Sequence, residues 1–143
     1  MLEKENEAIF RNLIKEWNVG NHQDMFNVLS PDIVIVDETG KQFGKKEYVE
    51  RFQYVFLPAM PDYHLVIEDV ITKGDQLVVR YTESGTLTGD LMGMPATGKR
   101  FSAPAIEIWR FSNGEIIELR MARDILTALT QFGVIPPFEP PPE

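Results

Sequence analysis

The sequence predicts an α+β domain, a set of helices gathered on one side of a curved antiparallel sheet. Three observations predict it. Apolar residues recur at helical spacing through the first 56 residues, the pattern alternates with a period of two after Pro58 and Pro61, and Asn113-Gly114 joins two alternating runs into a hairpin that leads into a short helix.

Ile9, Leu13 and Trp17, with Phe10 and Ile14 beside them, lie three or four residues apart, so about Glu5 to Val19 is an amphipathic helix closed by Gly20. A shorter helix carrying Met25, Phe26, Val28 and Leu29 stops at Ser30-Pro31. The β-branched run Ile33 to Asp37 is a strand, which Glu38-Thr39-Gly40 turns into a stub ending at Phe43-Gly44. Lys45 to about Phe56 is helical, with Tyr48, Phe52 and Phe56 four apart, and the two prolines close it. Tyr63 to Lys73 and Gln76 to Thr88 are strands around a Gly74-Asp75 turn, and the hairpin supplies two more. Gly89 to Lys99 is a loop of Gly, Pro and Met long enough to cover an opening. Residues 1–135 form one domain, and the proline-rich tail 136–143 is expected to be extended or disordered.

The hairpin turn sets which side chains share a face. Asn-Gly suits a two-residue type I′ loop, where both positions need positive φ. That register places Ser112 opposite Glu115, Trp109 opposite Glu118 and Glu107 opposite Arg120. One face then carries Ile106, Ile108, Ile117, Leu119 and Met121, and the other carries Glu107, Trp109, Glu118, Arg120, Ala122 and Asp124. The charged face must meet water or line a wet pocket.

With 14 basic and 22 acidic residues the net charge is −8, which argues against nucleic acid and against an anionic membrane surface as partners. The absence of cysteine excludes disulfides, a thiol nucleophile and a cysteine-ligated metal. The two histidines are too far apart to indicate a metal site, and the glycines fall at turns instead of forming a phosphate loop or a dinucleotide fingerprint. The opening MLEKENEAIFRNLIKEW lacks the basic and apolar regions of a signal peptide and no apolar run is long enough to span a membrane, so the cytoplasm is the expected location.

The runs VVRYTESGTLTGDLMGMPATGKRF and IEIWRFSNGEIIELRMARDILTALTQFG carry a resemblance. Their G-T-x-T-G turn, their G-x-P-x-T-G-K loop from Gly93 to Lys99, their N-G-x-I-x-E hairpin from Asn113 to Glu118, and Asp124 ahead of an L-x-x-L-x-Q-x-G helix end resemble the SnoaL-like polyketide cyclases, or ester cyclases, of the NTF2-like superfamily. The resemblance implies an NTF2-like (cystatin-like) cone, its curved sheet wrapped around three N-terminal helices and followed by a short C-terminal one. It implies a cofactor-free enzyme whose Asp, here Asp124, is the general acid/base of an intramolecular aldol closure inside the cone. It also implies pairing of two chains through the outer sheet face. Many members have His where this chain has Leu87, and His-Trp where it has Leu119-Arg120; the second change makes the expected pocket more charged.

Asp124 has two readings, a helix N-cap and a working carboxylate, and one residue can be both. Removing a proton next to a carbonyl needs a base raised toward the working pH, for which Glu118 and Glu107 are candidate neighbours, with Arg120 to hold the developing enolate oxygen. The alternative for these charges is a structural Glu107–Arg120 pair across the strands. Arg80 stands either in the pocket or on an exposed edge, in both cases with a carboxylate on the neighbouring strand. Trp17, Phe52, Phe56, Trp109, Met92 and Met94 line an apolar substrate site or simply fill the core. The expected function is acid/base catalysis, of aldol-cyclase type, on a small hydrophobic carbonyl compound, without cofactor or metal. The alternatives are a non-catalytic small-molecule-binding module and a hydrolase or isomerase on the same scaffold. The apolar hairpin face has no helix left to cover it, so a homodimer is expected there.

Overall fold

The computed structural model describes residues 2–137 and 139–143. Helix α1 (Leu2–Asn18) buries Phe10, Leu13, Ile14 and Trp17 along one stripe, as the spacing predicts. Helix α2 (Gln23–Val28) runs straight into β1 (Leu29–Val36), which begins ahead of the predicted Ile33 because Leu29 already pairs with Ile116. After the stub β2 (Gln42–Phe43), α3 (Lys45–Arg51) widens into a π-helical turn, Phe52–Phe56, and ends as the short α4 (Leu57–Ala59). Pro58 does not stop the helix at Phe56; the helical path runs through it to Ala59 directly after the π-helical turn. Strands β3 (His64–Lys73), β4 (Gln76–Thr86), β5 (Arg100–Ser112) and β6 (Glu115–Arg123) follow, and α5 (Ile125–Phe132) closes the sequence of elements. Residues 136–143 carry no helix or strand among those described; Phe138 lies outside the described residues.

The six strands form one sheet in the order β2-β1-β6-β5-β4-β3. The meander β3 to β6 is antiparallel, but β1 pairs with β6 in parallel, a pairing that crosses the chain and that local pattern does not encode. The helices fill one face. Phe10 sits 5.3 Å from Trp109 and 6.3 Å from Tyr81 between ring centroids, and Trp17 meets Phe26 and Phe52 edge-on. The inward row Leu77, Trp109 and Leu119, each at most 1% exposed, closes one end of the concave face with apolar volume.

The hairpin departs from the expected register. Asn113 (φ 49°) and Gly114 (φ 79°) make the two-residue turn and Ser112 does face Glu115, but a β-bulge at Ile117 inserts one unpaired residue. Beyond it Trp109 faces Leu119, not Glu118, and Glu107 faces Met121, not Arg120. Because side chains alternate with a period of two, one inserted residue exchanges the two faces of β6. The expected continuous apolar outer face is therefore divided: Ile106 and Ile108 point outward, 47% and 37% exposed, while Leu119 is fully buried and Met121 packs against the core.

Candidate active site

On the concave face, β4 presents Leu77, Val79, Tyr81 and Glu83, β5 presents Phe101, Ala103, Ala105, Glu107 and Trp109, and β6 beyond its bulge presents Leu119, Met121 and Arg123. Register sets Tyr81, Ala105 and Arg123 in one row and Glu83 beside Ala103. The two alanines on the middle strand leave the space that their larger neighbours surround. That space continues into a cavity of about 120 Å³ between Phe52, Phe56, Met60, Phe101, Phe132 and the loop residues Leu91 and Met94, with Glu83, Arg123 and Asp124 in its wall. A deeper hollow of about 10 Å³ shares Phe52, Tyr63 and Arg123 with it and adds Trp17, Tyr81, Glu107 and Trp109.

The loop between β4 and β5 is held against α4. The backbone N–H groups of Thr88 and Gly89 both donate to the carbonyl of Ala59. A Cβ at Gly89 would come within 2.8 Å of the Pro58 carbonyl oxygen, so only glycine allows this approach. Residues that the sequence assigns to a covering loop thus form one wall of the cavity.

Three charged groups meet inside. Glu83 and Glu107 are 5% and 4% exposed, and Arg123 lies between them with 14% of its side chain exposed. Arg123 Nε stands 3.3 Å from Glu83 Oε1, and the Tyr63 hydroxyl donates to the same oxygen at 2.6 Å. Two buried carboxyls facing one guanidinium leave one negative charge uncompensated if both ionise. Burial pushes Glu107 up to about 7; Arg123 opposes this and Glu83 adds to it. Burial alone would lower Arg123, but the negative charges around it, Glu83 first, hold it protonated.

Asp124 caps α5. It accepts from the Thr127 backbone N–H at 3.0 Å and from the Thr127 hydroxyl at 2.7 Å, and these bonds lower its pKa, the hydroxyl first. It also borders the larger cavity, so the cap and the cavity position coincide in one side chain.

A model of the SnoaL-like polyketide cyclase family matches residues 7–132. The chain belongs to that family. It is 23% identical over 128 residues to the aklanonic acid methyl ester cyclase DnrD of Streptomyces peucetius, covering 87% of this chain and 88% of that one. Among solved structures it superimposes on AclR from Streptomyces galilaeus, a proposed hydroxylase, with a TM-score of 0.87 and 26% identity over 96% of this chain and 86% of that one. A proposed SnoaL-like polyketide cyclase from Jannaschia sp. CCS1 gives 0.82 and 23%, over 94% and 96%. The fold is accordingly the NTF2-like, ketosteroid-isomerase-like cone that the sequence resemblance implies.

Within this SnoaL-like cone the expected site residues separate into two groups. Phe52, Phe56, Met94 and Asp124 border the larger cavity, and Trp17, Glu107 and Trp109 the deeper hollow. Arg120, Glu118 and Arg80 stand on the convex face. Arg120 is 56% exposed and pairs with Glu118 at 2.6 Å, and Arg80 is 50% exposed and pairs with Asp69 on β3 at 2.8 Å. The expected Glu107–Arg120 pair does not form, because the bulge places Arg120 on the far side of the sheet from Glu107. Arg123 occupies the inward position expected of Arg120.

Arg123, Glu83 and Tyr63 were not anticipated. For Glu83 a signal exists: it shares parity with Leu77, Val79 and Tyr81, so it is a carboxylate on an apolar stripe, whereas Arg80 shares parity with partly exposed Val78 and Thr82. For Arg123 the signal is the parity of Leu119 and Met121, legible only once the bulge is known. Among the described residues no three His, Cys, Asp or Glu side chains cluster as metal ligands, and no helix is long and apolar enough to cross a membrane.

Proposed function

We propose that this SnoaL-like chain is a cofactor-independent cyclase, closing a ring by aldol chemistry on a small hydrophobic carbonyl compound bound in the 120 Å³ cavity. The observation that carries the reading is the shared wall: an apolar hollow in which Asp124, Glu83 and Arg123 all border the same space. Asp124 takes the proton from a carbon between two carbonyls, and the C–H electron pair moves into an enolate whose oxygen lies toward Arg123. The enolate carbon then attacks a second carbonyl of the same molecule, a C–C bond forms, and the resulting alkoxide takes the proton back. Thr127 keeps Asp124 ionised at neutral pH and makes it a weak base, which suits a proton already acidified by two flanking carbonyls.

The test is Asp124→Asn. Asn caps a helix about as well as Asp, so thermal stability should hold, while turnover of an aromatic β-keto ester bearing a second ketone should fall by roughly 10²–10⁴. Parental turnover by the variant would remove Asp124 from the chemistry. The capping bonds favour a second reading, a binding module without chemistry, in which the parent binds such esters and leaves them unchanged.

We also propose that two chains pair through the convex face. Ile106, Ile108, Val66 and Ile71, between 37% and 66% exposed, support that reading.

A further inference from the structure

Two buried indole nitrogens, Trp17 Nε1 and Trp109 Nε1, lack a hydrogen-bond partner among the described residues and border one space. The Tyr81 hydroxyl faces the Glu107 carboxyl and Arg123 Nε stands 3.3 Å from Glu83 Oε1, and all four side chains line the deep hollow together with Glu107. Trp17, Tyr81 and Trp109 are 3%, 0% and 1% exposed, so bulk solvent does not satisfy them. A buried donor left without an acceptor is costly, and two around one small hollow call for an acceptor between them.

Their chemistry selects the occupant. An indole N–H only donates. A volume of about 10 Å³ admits roughly one water-sized group. The occupant is therefore a single oxygen that accepts both hydrogen bonds. The hollow shares Phe52, Tyr63 and Arg123 with the larger cavity, so an oxygen projecting from a molecule in that cavity arrives between those walls.

We propose that the deep hollow is a one-oxygen subsite, which takes the carbonyl oxygen of the ligand on the Trp17 and Trp109 indole N–H groups, in exchange for a water held there in the resting protein. The ligand half rests on the reading of the cavity as a site for a carbonyl compound; the donor cluster does not. The subsite gives orientation: the carbonyl end of an otherwise apolar molecule enters first, and the rest lies among Phe56, Phe101 and Phe132. An isostere without the oxygen displaces the water and leaves the donors unpaired.

Both tryptophans of the chain line the hollow, so intrinsic fluorescence reads it directly. Full-length protein is titrated with 1-tetralone and with tetralin, which differ at the carbonyl. The ketone should bind roughly ten- to a hundredfold more tightly, and Trp17→Phe, read through Trp109, should shrink that preference while leaving tetralin affinity unchanged. A crystal structure of the parent with 1-tetralone should place the ketone oxygen within hydrogen-bond distance of Trp17 Nε1 and Trp109 Nε1. Equal affinities, no saturable binding of either probe, a ketone oxygen lodged elsewhere, or a water kept in the hollow beneath the bound ketone would each overturn the subsite. Because these readouts are binding preferences, they stand apart from turnover: loss of activity in Asp124→Asn with the ketone preference intact separates this inference from the assignment of the base.

Discussion

The two faces of the same three strands carry the same kinds of residue with different consequences. On the convex face Arg120 and Glu118 meet at 2.6 Å with side chains 56% and 28% exposed; on the concave face Arg123 and Glu83 stand 3.3 Å apart with side chains 14% and 7% exposed. The shorter pair matters less. Water screens Arg120 and Glu118 in any arrangement, so their contact contributes at most about 1 kcal/mol. Arg123, Glu83 and Glu107 have exchanged water for one another, and each depends on the others for its charge state. Contact distance therefore ranks these pairs wrongly, and burial ranks them correctly.

The largest effect expected is at Arg123. Arg123→Met leaves two buried carboxyls without their counter-charge and should destabilise the fold by about 3–5 kcal/mol in urea denaturation at neutral pH. Equal losses for Arg123→Met and Arg120→Ala would mean that the two faces do not differ electrostatically.

Glu107→Gln comes next. The folded chain binds the Glu107 proton more tightly than the unfolded chain does, with a pKa of about 7 against the ordinary 4.5. Stability of the parent should therefore fall as pH rises through that window, by about 3 kcal/mol in all, and stay low above it. In Glu107→Gln this fall should disappear. Groups facing Glu107 include Tyr81, Glu83, Arg123, Tyr48 and Glu38, and a remaining slope of the same sign and size would remove Glu107 as its source.

Asp37 sharpens the contrast with the opposite sign. It is 8% exposed, and burial pushes its pKa up, yet bonds from Thr39, Arg51 and the backbone N–H of Lys41 outweigh that and bring it to about 2. Its stability contribution is present above pH 4 and lost as pH falls toward 2, about 2 kcal/mol. Asp37→Asn should flatten the acid limb of the stability profile and leave the limb between pH 4.5 and 7 intact. Two buried carboxyls thus titrate in opposite directions, one supplied with donors and one raised by burial, with a second carboxylate adding to it.

The smallest effects belong to the convex face. Arg120→Ala should change stability by less than about 1 kcal/mol, and Ile106→Glu by about 0.5 kcal/mol or less in the protomer. The second change should nevertheless convert a dimer to a monomer in sedimentation at micromolar concentration. A parent that sediments as a monomer would remove the proposed pairing.

Periodicity along the chain was enough for the helices α1 and α3, for the four strands of the meander and for the Asn113-Gly114 turn, because each depends on residues close in sequence. The same holds for Asp124 as the cap of α5, whereas periodicity leaves Phe52, Phe56 and Met94 open between core and cavity wall. The exchange of Arg120 for Arg123 was not legible, since it depends on a bulge at Ile117 that no local preference announces. Ile116-Ile117 reads equally well with either isoleucine turned inward, and the choice falls to the parallel partner β1, whose Leu29 and Val34 pair with Ile116 and Glu118 across a matching irregularity.

By itself the sequence determined the α+β plan, the family and the kinds of residue that the concave face would carry. Only the tertiary structure decided which charges face the cavity. Side-chain direction alternates with every strand residue, so one inserted residue reverses it, and the insertion lies where β6 pairs with a strand some eighty residues away.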